Sequence, residues 1–216
     1  GPLMRVGVLS AGPDRHLLVT VVHHVAIDGA AIPLLFEQLG QAYTDLKAGQ
    51  LPTLQATHAE PPSGQSTEED LAFWREATRA MPTHIPLPTI GAGQGDLTRA
   101  FKCPLPEDLE AKLRALGRAR GASFFEVMSA GWAALLARYT GERHIAFAYP
   151  VNLEPGSRIG CFVNTLPMAF DTDATFGELV DQAHRARVAA KPHQGVVFER
   201  IVESLRKGGL LDADQS

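Results

Sequence analysis

The stretch His23-His24-Val25-Ala26-Ile27-Asp28-Gly29 brings two imidazoles, one carboxylate and a glycine together in a short segment. It follows the apolar run Leu17-Leu18-Val19-Thr20-Val21-Val22, which predicts a buried β-strand. Residues 30–43 then carry apolar side chains near helical spacing and predict a helix. The motif is therefore expected on a turn between a core strand and a helix, where an α/β protein holds reactive groups on a rigid frame.

The two histidines of this turn have the chemistry of a proton acceptor. A neutral imidazole can take a proton from an amine or an alcohol, since its reference pKa of about 6.5 lies near neutral pH. A metal site is disfavoured, because no Glu or Cys stands nearby at ligand spacing and the pattern His-Glu-x-x-His is absent. Two core histidines with no chemical role are the remaining alternative, which the strand–turn–helix context disfavours.

Composition and charge indicate a globular protein and give no support to nucleic-acid binding or a membrane span. The chain has 216 residues, enough for one large domain or two small ones, and its 45% hydrophobic and 20% charged residues are typical of a globular protein. The net charge of −4 and the scattered basic residues give nucleic-acid binding no support. No stretch is apolar for long enough to span a membrane, and no secretory signal is visible. Cys103 and Cys161 lack metal or redox spacing, which favours a reducing, cytoplasmic location.

The first fifty residues predict a β-hairpin ahead of the motif. Residues 1–3, Gly1-Pro2-Leu3, resemble what a protease leaves after removal of an expression tag, so Met4 is the expected start. Residues 4–10 and 16–22 predict two strands, joined by a turn at Gly12-Pro13-Asp14.

The rest of the chain predicts a linker followed by alternating helices and strands. Residues 51–95 are rich in proline and glycine and predict a linker. A short helix is predicted to interrupt this linker, with Ser66 as its cap and Trp74 as a packing anchor. The helix capped by Ser123 is apolar over much of its circumference and is expected to be mostly buried. The further elements predicted are helices over 106–120, 123–139 and 175–190, and strands over 99–105, 144–151 and 159–168.

Three segments carry a family resemblance. The form His-His-x-x-x-Asp-Gly at residues 23–29 resembles the active-site motif of the condensation domains of nonribosomal peptide synthetases, which share the chloramphenicol acetyltransferase fold with other acyltransferases. Residues 159–168, Ile-Gly-Cys-Phe-Val-Asn-Thr-Leu-Pro-Met, are similar to the Gly-x-Phe-x-Asn-Thr-Leu-Pro segment of that family. Residues 193–203 resemble its His-Gln-x-x-Pro-Phe-Glu segment, with Val197 in place of the proline. The order of these segments agrees with the family.

The resemblance implies an α/β fold, a mixed sheet with flanking helices, and about half of a condensation domain built from two acetyltransferase-like lobes. Residues 4–50 would form the end of the N-terminal lobe, which contains the motif. Residues 51–95 would cross over to the C-terminal lobe, which would occupy residues 96–216 and be incomplete at its end. Most of the first lobe is expected to be missing, so association with a copy of the chain or with a partner that supplies that lobe is expected.

The resemblance also assigns roles to the motif residues. His24 would be the general base or a hydrogen-bond acceptor that positions the nucleophile, with His23 beside it in the catalytic turn. Gly29 would leave room for a thioester arm, and backbone donors near it would stabilise a tetrahedral oxyanion. Asp28 would hold the turn through an ion pair with an arginine, and Arg158 is the nearest one in the sequence.

Substrates in this family arrive on phosphopantetheine arms of carrier proteins, so a carrier protein is the implied partner, with no bound cofactor and no metal. Asn164 and Thr165 would bind the pantetheine amides, or Asn164 would only pin a backbone turn. An epimerization domain is disfavoured by residues 164–167, and plant-type acyltransferases are disfavoured because Asp-Phe-Gly-Trp-Gly is absent.

Two functions of different kinds follow. The first is condensation-type acyl transfer, which forms an amide or ester bond between carrier-bound acyl and aminoacyl groups; transfer to a small free acceptor is a variant of it. The second is a truncated, non-catalytic module that docks a carrier protein or a synthetase partner. The presence of His23, His24 and Asp28 favours the enzyme, whereas the missing lobe favours the module.

Overall fold

The structure is a computed structural model, and it describes residues 1–53, 66–87, 102–153 and 158–209. The strands are β1 (Met4–Ser10), β2 (His16–Val22), β3 (His144–Asn152) and β4 (Val163–Asp171). The helices are α1 (Ile32–Lys47), α2 (Glu68–Thr78), α3 (Glu107–Ala119), α4 (Phe124–Thr140), α5 (Phe176–Ala190) and α6 (Phe198–Lys207). Two 3₁₀ turns lie at His24–Ala26 and Lys191–His193. Among the described helices, none has both the length and the apolar character needed to cross a bilayer.

The chain folds into two compact units. The first unit contains Gly1–Gln65 together with Pro150–Asn164, and the second contains Ser66–Tyr149 together with Thr165–Ser216. The motif of residues 23–29 and the segment around residue 160 therefore belong to one unit, although more than a hundred residues separate them in the sequence.

The first unit is built on the predicted hairpin. Strands β1 and β2 pair in antiparallel register from Met4 opposite Val22 to Ser10 opposite His16. The prediction that β2 is buried is wrong: Leu17 is 58% exposed and Val21 is 62% exposed. The physical reason is that the sheet has only two strands, and the described residues do not cover its faces.

Helix α1 follows the motif as predicted, but it begins at Ile32 and continues to Lys47. A proline in its first turn suits a helix start, because that position needs no backbone N–H. Gly49, with a φ of 75°, ends the helix in a conformation that favours glycine. Its large apolar side chains are largely exposed, from 44% to 62%, at Ile32, Phe36, Leu39, Tyr43 and Leu46.

The second unit has its core on helix α4. Ser123 caps this helix in a reciprocal capping box with Glu126, which confirms the predicted helix start. Glu126 is only 1% exposed, and its carboxylate accepts hydrogen bonds from Arg187 Nε at 2.6 Å and from the Ser123 N–H. Burial alone would raise the pKa of Glu126, but the hydrogen bonds from Arg187 and Ser123 outweigh it and lower that pKa.

Helix α4 has one buried face and one exposed face. Ala130 and Ala133 are fully buried. The prediction that this helix is mostly buried is wrong for its opposite face, where five large apolar side chains are between 40% and 66% exposed: Phe125, Met128, Trp132, Leu135 and Tyr139. Exposed apolar residues at this helical spacing form a stripe along one side of the helix. Packing of this stripe against another apolar surface could cover it.

Within the second unit, helix α2 is held in place by its tryptophan. Trp74 is 1% exposed and donates its indole N–H to the His193 carbonyl at 3.0 Å, which confirms it as a packing anchor. The helix is capped by Thr67 with Asp70, one residue later than the predicted Ser66 start. Hydrogen bonds from Thr67 and His193 lower the pKa of Asp70 to about 2.

Strands β3 and β4 form the second two-stranded sheet. Two predictions near them need correction. Residues 102–105 are not a strand, and residues 99–101 of the same prediction lie outside the described part of the chain. Strand β4 begins at Val163 rather than at residue 159, and just before it the Gly160 carbonyl and the Phe162 N–H bond to Asp28.

Gly117 in α3 and Gly131 in α4 differ in how much space surrounds them. A methyl group on Gly117 of α3 would lie 2.8 Å from the Ala122 carbonyl oxygen and 3.1 Å from Val127 Cγ2, whereas one on Gly131 of α4 meets no atom within 4 Å. Gly117→Ala is therefore expected to lower the free energy of unfolding by about 1–3 kcal/mol. Gly131→Ala is the matched control and is expected to raise it by up to about 1 kcal/mol.

Thermal unfolding followed by circular dichroism measures both variants against the parent chain. The expected result is a lower Tm for Gly117→Ala and an equal or higher Tm for Gly131→Ala. Equal Tm values for the two variants would contradict the close approach of α3 to the Ala122 backbone.

Candidate functional site

The motif residues lie on a short 3₁₀ turn between β2 and α1, as the sequence predicts. His23 shapes this turn, because its Nδ1 accepts the N–H of Val25 at 3.1 Å and its carbonyl accepts the N–H of Ala26 at 2.9 Å. One of the two motif imidazoles is thus engaged within the turn.

The buried Asp28 holds the motif turn in place through hydrogen bonds. It is 1% exposed, and its Oδ1 accepts the N–H groups of Ala30 and Ala31 at 3.0 Å each. Its Oδ2 accepts the Phe162 N–H at 2.9 Å, and its own N–H donates to the Gly160 carbonyl at 2.9 Å. Hydrogen bonds to an ionised carboxylate are the stronger kind, so Asp28 ties the motif turn to the backbone of residues 160–162.

The expected ion pair between Asp28 and Arg158 stays a prediction. The carboxylate of Asp28 is already satisfied by three backbone donors. The Arg158 guanidinium lies over the ring of Phe162, 5.1 Å from its centroid. Backbone hydrogen bonds from Ala30, Ala31 and Phe162 therefore hold the turn at Asp28.

Gly29 has open space around it. A Cβ added there would meet no atom within 4 Å, and its φ is not positive, so the position does not require glycine for a tight backbone. The idea that backbone donors just after Gly29 stabilise an oxyanion needs correction, because the N–H groups of Ala30 and Ala31 already bond to Asp28.

His24, like His23, is exposed. It lines a cavity of about 300 Å³ within the first unit. The lining side chains are mostly apolar and come from β2, the motif and α1: Thr20, Val22, Ile27, Ile32, Leu35 and Phe36. Its Nδ1 lies 3.8 Å from Cys161 Sγ. The arrangement presents an accessible imidazole at the edge of an apolar cavity, on a turn that Asp28 holds rigid.

Asn164 and Thr165 lie at the start of β4. Asn164 is 8% exposed, Thr165 is half-buried, and both already have interaction partners in the structure. Asn164 belongs to the first unit and Thr165 to the second. The low exposure of Asn164 favours a role in fixing the backbone over binding of a substrate amide.

No group of three or more His, Cys, Asp or Glu side chains is arranged for a metal ion among the described residues. Sequence reasoning missed two features of the site: the Cys161–His24 contact and the bond from Phe162 to Asp28. Both join segments that are more than 130 residues apart, and no local spacing rule can find such a contact.

Comparison with known proteins gives a consistent result. The profile of the condensation domain family matches residues 1–212. The dimodular nonribosomal peptide synthase from Bacillus subtilis (strain 168) is 30% identical over 94% of this chain, which covers 10% of that protein. The phosphinothricin tripeptide synthetase PhsC from Streptomyces viridochromogenes is 34% identical over 95% of this chain and 21% of its own length.

The fold has solved counterparts as well. The first condensation domain of the calcium-dependent antibiotic synthetase, solved in complex with a substrate analogue, superposes with a TM-score of 0.69 at 25% identity. The alignment covers 98% of this chain and 52% of that domain. The chain therefore spans about half of the solved domain and a small part of the synthetases that it resembles, and its predicted fold class is confirmed.

Proposed function

This chain belongs to the condensation domain family, and we propose that it is the core of an acyltransferase that joins two carrier-bound substrates. The observation that carries the proposal is the exposed imidazole of His24, held by the Asp28-anchored turn at the edge of an apolar cavity. An acyl group with an aliphatic portion fits the chemistry of that cavity. Its thioester carbonyl would then lie near the imidazole.

The proposed reaction is attack of an acceptor amine, or a hydroxyl group, on the donor thioester carbonyl. The new C–N or C–O bond forms as the C–S bond to the donor pantetheine breaks. His24 accepts the proton that the nucleophile loses, and that proton passes to the departing thiolate. Positioning of the two arms supplies much of the rate, because it makes the encounter effectively unimolecular. No residue of the chain is consumed, and no bound cofactor takes part in these steps.

The proposed division of the chain follows the family. Residues 4–50 would be the end of the N-terminal lobe, residues 51–95 the crossover, and residues 96–216 the C-terminal lobe. The carrier protein is the proposed partner, with its phosphopantetheine arm as the substrate carrier. His23 would support the catalytic turn, and Thr165 would contact the arm.

We also propose that the exposed apolar surfaces are covered by another polypeptide, either a second copy of the chain or a partner that supplies the remaining lobe. Support comes from the hairpin, where Val8 and Val21 are 63% and 62% exposed. Exposed apolar patches of this kind mark protein interaction surfaces, and unpaired strand edges favour pairing with a further chain.

The alternative function is a non-catalytic module that docks a carrier protein. The observation in its favour is that the chain aligns with only 52% of a solved condensation domain. One experiment separates the two functions: the size of the protein in solution is measured, and the same sample is incubated with acyl-loaded and aminoacyl-loaded carrier proteins. Product formation by an oligomer supports the enzyme. A monomer that binds carriers but forms no product supports the module.

A further inference from the structure

Cys161 lies beside His24 inside the first unit, with 3.8 Å between its Sγ and the Nδ1 of the imidazole. Both chain neighbours of Cys161 are fastened to Asp28: the Gly160 carbonyl accepts the Asp28 N–H, and the Phe162 N–H donates to Asp28 Oδ2. Because the residues on both sides of Cys161 are hydrogen-bonded to Asp28, the backbone position of Cys161 is fixed. Its thiol is thereby kept next to the imidazole of His24. Asp28 therefore sets the positions of both members of the contact.

The packing around this segment leaves little room for it to move. A Cβ on Gly160 would come within 2.6 Å and 2.7 Å of two ring atoms of Phe162, so the backbone and the ring are in close contact. Phe162 is itself 3% exposed and carries the Arg158 guanidinium on its face. Cys161 is only partly exposed, whereas Cys103 is exposed.

We infer that Cys161 is a positioning residue for His24, with the imidazole Nδ1–H donating a weak hydrogen bond to Cys161 Sγ. In a neutral imidazole one nitrogen is the donor and the other the acceptor, so a proton on Nδ1 leaves the Nε2 lone pair free. That lone pair is the one that would take the proton of the attacking amine. The inference deepens the proposed function and rests on it for its catalytic consequence, but the contact itself does not.

The opposite polarity of the same contact has the opposite consequence. If the Cys161 thiol donated to Nδ1, the imidazole proton would reside on Nε2, and His24 would present a donor instead of a base. The two arrangements share one heavy-atom geometry, so a measurement of the proton position distinguishes them.

The test is nuclear magnetic resonance of the 216-residue protein labelled with ¹⁵N-histidine, at mildly alkaline pH where a histidine imidazole is neutral. The His24→Ala variant assigns the signals by their disappearance. The expected result is a protonated Nδ1 and an unprotonated Nε2 for His24. A protonated Nε2 would overturn the inference, and this measurement does not depend on enzymatic activity.

Three variants then test the consequence. Cys161→Ala is expected to mix the two tautomers of His24 and to lower kcat about tenfold, with little change in the KM for the carrier. Cys161→Ser retains a hydrogen-bonding atom and is expected to restore the Nδ1–H tautomer and most of kcat. Cys103→Ala removes the other, exposed cysteine and is expected to change neither quantity.

The outcomes separate this inference from the proposed function. An unchanged His24 tautomer in Cys161→Ala would overturn the positioning role, even if His24→Ala is inactive. Full activity of His24→Ala would overturn the proposed function, while the Nδ1–H tautomer would still support the contact.

Discussion

Replacing His24 with alanine is expected to abolish product formation while carrier binding is retained. General acid–base assistance contributes about 10²- to 10⁴-fold to a reaction rate, so its loss should bring the condensation rate close to background. The side chain is exposed and caps no element with its ring, so the fold should not suffer. Mass spectrometry of the carrier-bound product measures the first effect, and fluorescence anisotropy of a labelled carrier measures the second.

The matched control for this experiment is His16→Ala. His16 is also exposed, lies on strand β2 of the same hairpin, and has its Nδ1 3.0 Å from the Ser10 hydroxyl, away from the motif turn. It should keep the parental rate and the parental affinity for the carrier. A His24→Ala variant that forms product as fast as the parent would show that the imidazole is not the base.

Replacing Asp28 with alanine is expected to cause the largest loss of stability in the first unit. Three backbone donors, those of Ala30, Ala31 and Phe162, would lose their acceptor at a position that is 1% exposed. Buried donors left without a partner cost about 1–3 kcal/mol each, and these three share one acceptor, so a total loss on the order of 3–5 kcal/mol is expected. Amide hydrogen exchange at Ala30 and Ala31 reports this directly, since both should lose protection.

Two further variants show whether the loss comes from these bonds. Asp28→Asn keeps an acceptor for the N–H groups of Ala30 and Ala31 but turns an amide toward the Phe162 N–H, so an intermediate loss is expected. Asp45→Ala removes an aspartate on α1 that accepts one exposed hydrogen bond from Gln41, and a change within about 0.5 kcal/mol is expected. Parental exchange rates in Asp28→Ala would contradict the anchoring role.

The elements that sequence rules predicted well are those that depend on neighbours in the chain. Helix α4 begins after Ser123 because that hydroxyl and the Glu126 carboxylate satisfy each other's backbone donors. The hairpin register follows from two apolar runs and a turn that contains Gly12, whose φ is 141°. The histidine pair was placed correctly between a strand and a helix for the same reason.

The predictions that failed concern burial, and the contacts that sequence rules missed join residues distant in the sequence. An apolar run predicts a strand that is stable when buried, but its burial depends on which other elements pack against it. In the described part of the chain, apolar side chains of the β1–β2 sheet stay exposed. For Asp28, the family resemblance implied an ion pair with the nearest arginine, Arg158, and no sequence rule indicated its backbone donors. The structure shows that three backbone N–H groups donate to that carboxylate.

The amino-acid sequence by itself determined the β1–β2 hairpin, the capped start of helix α4 and the segment that carries the histidines, because these depend on propensities and hydrogen bonds within a few residues. Only the tertiary structure decided that residues 160–162 lie against the motif turn, which brings Cys161 to His24 and Phe162 to Asp28. The physical reason is that a buried carboxylate must be satisfied by whichever donors folding brings to it, and their distance along the chain places no limit on that choice.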